Sequence, residues 1–98
     1  MQISVRFFTV LREITGKREE VLQFSSGEKA TVRLVLLKLA QTYGRDFCDY
    51  VFAASTGEVR GFLQFLVNGK SVAALEGGLE TRLADGDVLA IVPPVGGG

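Results

Sequence analysis

The residues best equipped for chemistry in this 98-residue chain are its last six, "PPVGGG", and above all the α-carboxylate of Gly98. Three successive glycines bury nothing and cost the most backbone entropy to order, so packing is not what they contribute. Pro93 and Pro94 stop the preceding strand and hold the chain extended, away from the sheet. Beyond them Val95 to Gly98 span about 13 Å, at about 3.3–3.6 Å per residue. With no Cβ on Gly96, Gly97 or Gly98, this strip of backbone fits a channel that excludes side chains, and the carboxylate arrives at its far end. A carboxylate is a poor electrophile. ATP makes it reactive as an acyl adenylate, which a sulfur or amine nucleophile can attack. The chain has no G-x-x-x-x-G-K-[ST] loop, so the ATP site is expected on another protein.

No other constellation competes. Histidine is absent, which removes the usual general base and the commonest zinc ligand. Cys48 is the one cysteine; apolar and acidic neighbours in "RDFCDYVF" suggest a small, half-buried core residue rather than a reactive thiol. Asp85-Gly86-Asp87 lacks the spaced ligands of a calcium loop and reads as a tight turn. No carboxylate pair or nucleophile–base pair is set up for catalysis.

The elements that must hold the tail follow from hydrophobic period. "QISVRFF" alternates, with Ile3, Val5 and Phe7 on one side, and "EEVLQF" brings Leu22 and Phe24 into phase as a second strand, together an antiparallel hairpin. "LREITGKRE" between them reads as a turn or one helical turn, with Arg12 and Glu13 as a salt-bridged pair. "TVRLVLLKLAQTYG" is a helix, capped by Thr31 and ended by a left-handed Gly44. Its stripe is Val32, Val35, Leu36, Leu39, Ala40 and Tyr43, and off-stripe Leu34 and Leu37 imply a broad buried face. "RDFCDYVFAAS" continues as a shorter second helix. "FLQFLVNGKSV" is a hairpin on an Asn68-Gly69 type I′ turn, and "VLAIV" is the last strand. The first and last strands are the most apolar and are expected as central neighbours.

The composition fits one globular domain: 47% hydrophobic and 22% charged, long enough to fold without disulfides or metal. Eleven basic residues balance eleven acidic ones, so there is no pull toward nucleic acid or an anionic membrane. No apolar run approaches a membrane span of about 20 residues. A single cysteine fits a reducing cytoplasm.

"VRFFTVLREITGK", "FLVNGK" and "LADGDVLAIVPPVGGG" together resemble the small subunit of molybdopterin synthase (MoaD-like) and, more broadly, the ThiS/MoaD ubiquitin-like sulfur carriers. The resemblance spans nearly the whole chain and is weakest over "GRDFCDYVFAASTGEVRG". It implies an α+β, ubiquitin-like β-grasp fold: a mixed sheet of about four to five strands on one main helix. Residues 1–94 would form the domain and 95–98 an extended, flexible tail. It implies a carrier rather than an enzyme, with no bound cofactor. Gly97-Gly98 would enter a ubiquitin-activating-type adenylating enzyme that uses ATP. The Gly98 carboxylate would become a thiocarboxylate with sulfur from a donor. The large subunit of molybdopterin synthase would then take that sulfur for the molybdenum or tungsten cofactor. Two alternatives share the adenylate: a modifier joined through Gly98 to target-protein lysines, and a thiamine-pathway carrier.

A carrier also needs a face for its partners. If Phe7, Phe65, Leu89 and Ile91 point inward, then Phe8, Leu66, Val88 and Val92 form an apolar patch on the open side of the sheet. The resemblance places Phe8 and Val92 in that interface, with Pro94, Gly96 and Gly97 continuing it. Ser71 departs from the apolar residue expected beside them. The competing expectation is that the middle segment covers this face as a second core layer.

Overall fold

The structure is a computed structural model and describes residues 1–94. The expected tail, 95–98, lies outside the described residues. Alternation builds β1, Gln2–Phe7, whose Ile3, Val5 and Phe7 are fully buried while Gln2 and Arg6 are exposed. The chain reverses through a short helix α1, Val10–Thr15, closed by a left-handed Gly16 whose N–H donates to the Arg12 carbonyl. It returns as β2, Glu19–Gln23, antiparallel to β1.

Helix α2, Val32–Tyr43, starts where the Thr31 hydroxyl accepts from the Leu34 N–H at 3.1 Å. Val32, Val35, Leu36 and Leu39 have no exposed surface, and Ala40 and Tyr43 pack at the margin of the same core. Gly44 has the expected positive φ of 76°, but its ψ of −148° lies outside the left-handed helical well. Instead of a simple stop, the chain turns straight into α3, Arg45–Val51. Strand β3, Gln64–Val67, turns through Asn68 (φ 50°) and Gly69 (φ 86°) into β4, Lys70–Ser71. This is the doubly positive geometry of a type I′ turn. Two short 3₁₀ segments, Val72–Ala74 and Gly78–Glu80, lead to β5, Val88–Val92.

The sheet order is β2-β1-β5-β3-β4. β5 runs parallel to β1 and antiparallel to β3, so the first and last strands are the central neighbours expected from their apolarity. One face of this mixed sheet packs on α2, the β-grasp arrangement. Aromatic contacts tie α3 to the same layer: Phe7 and Tyr43 meet edge to face at 6.1 Å between centroids, and Tyr43 lies 6.1 Å from Phe47.

Three local expectations are corrected. Leu37 is 47% exposed, because the buried stripe of α2 covers one side of the helix only; Leu34 reaches the core margin. Cys48 is exposed, since Phe47 and Val51 take the inward positions of α3 at i, i+4 spacing and turn Cys48 outward. Pro93 is buried rather than lifted off the sheet; only Pro94 is exposed.

Candidate functional site

The site is the end of β5 and the sheet face around it. Strand alternation turns Leu89 and Ile91 into the core and leaves Val88, Ala90 and Val92 half-buried on the opposite side. Cross-strand register then decides their neighbours. Leu66 sits opposite Ala90, Arg6 flanks Ala90 from the other side, and Ser71 sits opposite Leu66. Phe7 pairs with Ile91, so the next residue, Phe8, falls beside Val92 at the point where β5 ends. Phe8, Leu66, Val88 and Val92 therefore share one half-buried patch, with polar Ser71 at its edge.

The middle segment does not cover this patch. Helix α3 puts Phe47 and Val51 into the core on the helix side of the sheet. What the segment does contribute is Phe62, 45% exposed and stacked 5.6 Å from the Tyr50 ring. Phe62, Gln64, Val92, Pro93 and Pro94 line a cleft of about 240 Å³ at the root of the tail. The sequence gave no signal for Phe62, because the irregular run before β3 has no period to assign it a face. A larger cavity of about 420 Å³ lies among Arg60, Leu63, Phe65, Val72 and Leu79 and includes none of the expected site residues.

The far end of the face is a structural lock. Asp85 accepts from the Gln2 N–H at 2.7 Å, and the Gly86 N–H donates to the Gln2 carbonyl at 2.8 Å. Asp87 accepts from the Ala84 N–H at 2.8 Å and from Asn68 Nδ2 at 2.9 Å, while Asn68 Oδ1 accepts from the Val88 N–H at 3.0 Å. Both carboxylates are thus committed to holding the start of β5 against β1 and the hairpin, as a turn rather than a metal loop. Among the described residues no cluster of three metal-ligating side chains occurs.

Arg12 does not form the ion pair expected with Glu13. Its Nε donates to the Phe7 carbonyl at 2.9 Å, and its guanidinium lies 5.3 Å above the Phe8 ring. The groups with shifted acidity lie elsewhere. Glu20, inside the sheet opposite Val5, is held below the usual carboxylate range chiefly by the Tyr43 hydroxyl, which donates to it at 2.7 Å. Burial, then that same bond, pushes Tyr43 up to about 12.

Gly96, Gly97 and Gly98 lie outside the described residues. Pro94, the last described residue, is exposed beside Phe62 and Val92. The arrangement can therefore present an apolar face continuous with the segment that leads to Gly98. Among the described residues no helix is long and apolar enough to cross a membrane.

Comparison with known proteins agrees with this geometry. The ThiS family model matches residues 5–98. The chain is 35% identical to small archaeal modifier protein 3 of Haloferax volcanii and 34% identical to sulfur carrier protein CysO of Mycobacterium bovis, covering all of this chain and all of each relative. The crystal structure of SAMP1 from Haloferax volcanii superposes with a TM-score of 0.83 at 30% identity over the full length of both chains.

Proposed function

The chain belongs to the ThiS family, and we propose that it works there as a sulfur carrier whose Gly98 carboxylate is adenylated and converted to a thiocarboxylate. The observation that carries this reading is that the family match runs through residue 98 and so includes Gly97-Gly98. The adenylate comes from ATP held by a ubiquitin-activating-type enzyme. Sulfur from a donor then displaces AMP, and the thiocarboxylate passes to an acceptor. The acceptor proposed is a large subunit of the molybdopterin synthase type, in molybdenum or tungsten cofactor assembly, as the resemblance of "LADGDVLAIVPPVGGG" implies. The half-buried patch of Phe8, Leu66, Val88 and Val92 is the docking face for both partners in turn.

A second reading shares the adenylate: an amine attacks instead of sulfur, and Gly98 becomes joined to a lysine of a target protein. The printed name of the Haloferax volcanii relative, a modifier protein, favours it.

One experiment separates the two. The protein is incubated with its activating enzyme, ATP and a sulfur source, and its intact mass is measured. A gain equal to exchanging one oxygen for sulfur, absent when Gly98 is deleted, is the expected result. Adducts of the Gly98 acyl group on lysines, without that gain, support the modifier. Neither product overturns both.

A further inference from the structure

Arg12 sits at the tail-root corner of the open sheet face with half its hydrogen-bonding capacity unspent. Its Nε is used on the Phe7 carbonyl, and its plane covers the Phe8 ring. Among the described residues its two terminal nitrogens make no hydrogen bond, and it takes part in no ion pair. A guanidinium carries five donors in a planar fork suited to a carboxylate, and one fixed by Nε has its orientation set in advance.

The backbone beneath is held in an unusual conformation for the same placement. Thr9, a β-branched residue, has φ 49° and ψ −120°, at the head of a turn in which the Leu11 N–H donates to the Phe8 carbonyl at 3.1 Å. Residues held in sparsely populated backbone regions cluster where a side chain must be aimed. Here the turn sets Phe8 beside Val92 and brings α1, with Arg12, directly over it.

Charge is distributed unevenly along the face. Asp85 and Asp87 stand at the end where β5 begins, and both are spent on the turn. At the other end Arg6 has an acidic neighbour, Glu19, directly opposite across β1 and β2. Arg12 has none. The apolar patch is therefore edged at the tail root by one unneutralised cation.

We propose that Arg12 is a partner-recognition residue: its terminal guanidinium nitrogens receive a carboxylate of the protein that docks on the Phe8–Val92 patch and takes up the tail. The inference rests on the carrier reading, because it names the chemistry of the partner at that reading's docking face. Burial of the pair at the interface makes the bond charge-assisted and sensitive to salt.

The test uses the full chain and an activating enzyme first shown to adenylate it by ATP–pyrophosphate exchange. Binding is measured by calorimetry at about 0.05 M and about 0.5 M salt, where the screening length differs several-fold. Arg12→Gln is expected to bind about tenfold more weakly at low salt and to approach the wild type at high salt. Arg12→Lys keeps the charge and is expected to keep the wild-type salt slope. Arg6→Gln, with Glu19 opposite, is expected to change affinity by no more than about twofold.

An equal loss for Arg12→Gln at both salts means that Arg12 only props Phe8, and overturns the proposal. So does an unchanged affinity, an equal effect of Arg6→Gln, or a flattened slope in Arg12→Lys, a variant that still reports if Arg12→Gln does not fold. Phe8→Asp keeps the two readings apart. If it binds normally, with an unchanged melting temperature, the docking face itself is wrong; if the wild type gives no exchange, the carrier reading falls and this inference with it.

Discussion

The pair with the clearest pH signature is Tyr43 and Glu20. Tyr43 joins α2 to the inner face of β2, packing against Phe7 and Phe47 and donating from its hydroxyl to Glu20. Because the folded state lowers the acidity constant of Glu20 below its ordinary value of 4.5, this group's stabilisation is present above that value. It is lost as pH falls through the lower folded value. For Tyr43 the shift is upward, to about 12, so its stabilisation is present below its ordinary value of 10.0 and is lost as pH rises toward 12. Tyr43→Phe keeps the ring and removes the bond. We expect it to cost about 1 kcal/mol at neutral pH, with the gap to the wild type closing in the acid range and again near pH 12. Denaturant melts of both proteins across pH measure this. A gap of constant size at all pH values would place the loss in packing alone.

Among the elements, the β3–β4 hairpin couples sequence to site most directly. Its turn needs positive φ at two residues, and Asn68 supplies one of them while its side chain also bridges Asp87 and the Val88 N–H. Asn68→Ala loses both the backbone preference and the bridge, at a cost of about 2 kcal/mol; Asn68→Gly loses the bridge alone and costs about half as much. Thermal unfolding of the two variants gives the comparison, and equal losses would mean that backbone strain is not part of the effect. The dipeptide Asn-Gly made this turn legible in the sequence, as Thr31 did for α2 and strict alternation did for β1 and β5. The faces of short or irregular pieces were not legible. Helix α3 is seven residues long, too short for its period to decide whether Phe47 or Cys48 points inward. Phe62 lies in a stretch with no period at all. Arg12 beside Glu13 suggested a local ion pair, because the ring it covers becomes its neighbour only once the turn at Thr9 is made.

At the scale of the molecule, the domain and the acyl position follow separate requirements. The core of Ile3, Val5, Phe7, Leu36, Leu39, Leu89 and Ile91 closes around β1 and β5, and the sheet ends at Val92 with Pro93 packed inward behind it. None of these contacts involves a residue beyond Pro94, so stability is set by 1–94 in the described structure. Chemistry, on the proposed reading, requires a carboxylate on Gly98 itself. The two are expected to separate cleanly under one change. A single alanine appended after Gly98 moves the carboxylate by one residue, about 3.3–3.6 Å along the chain. It also sets a Cβ at the reacting position, where the channel admits only backbone. Adenylation by the activating enzyme, followed by pyrophosphate exchange, is expected to fall by at least about a hundredfold, since a misplacement of about 1 Å already costs that order of rate. The melting temperature is expected to stay within a degree or so, as for other surface changes that touch no packed group. Full exchange activity in the extended chain would mean that Gly98 is not the acyl position, whatever the fold around it.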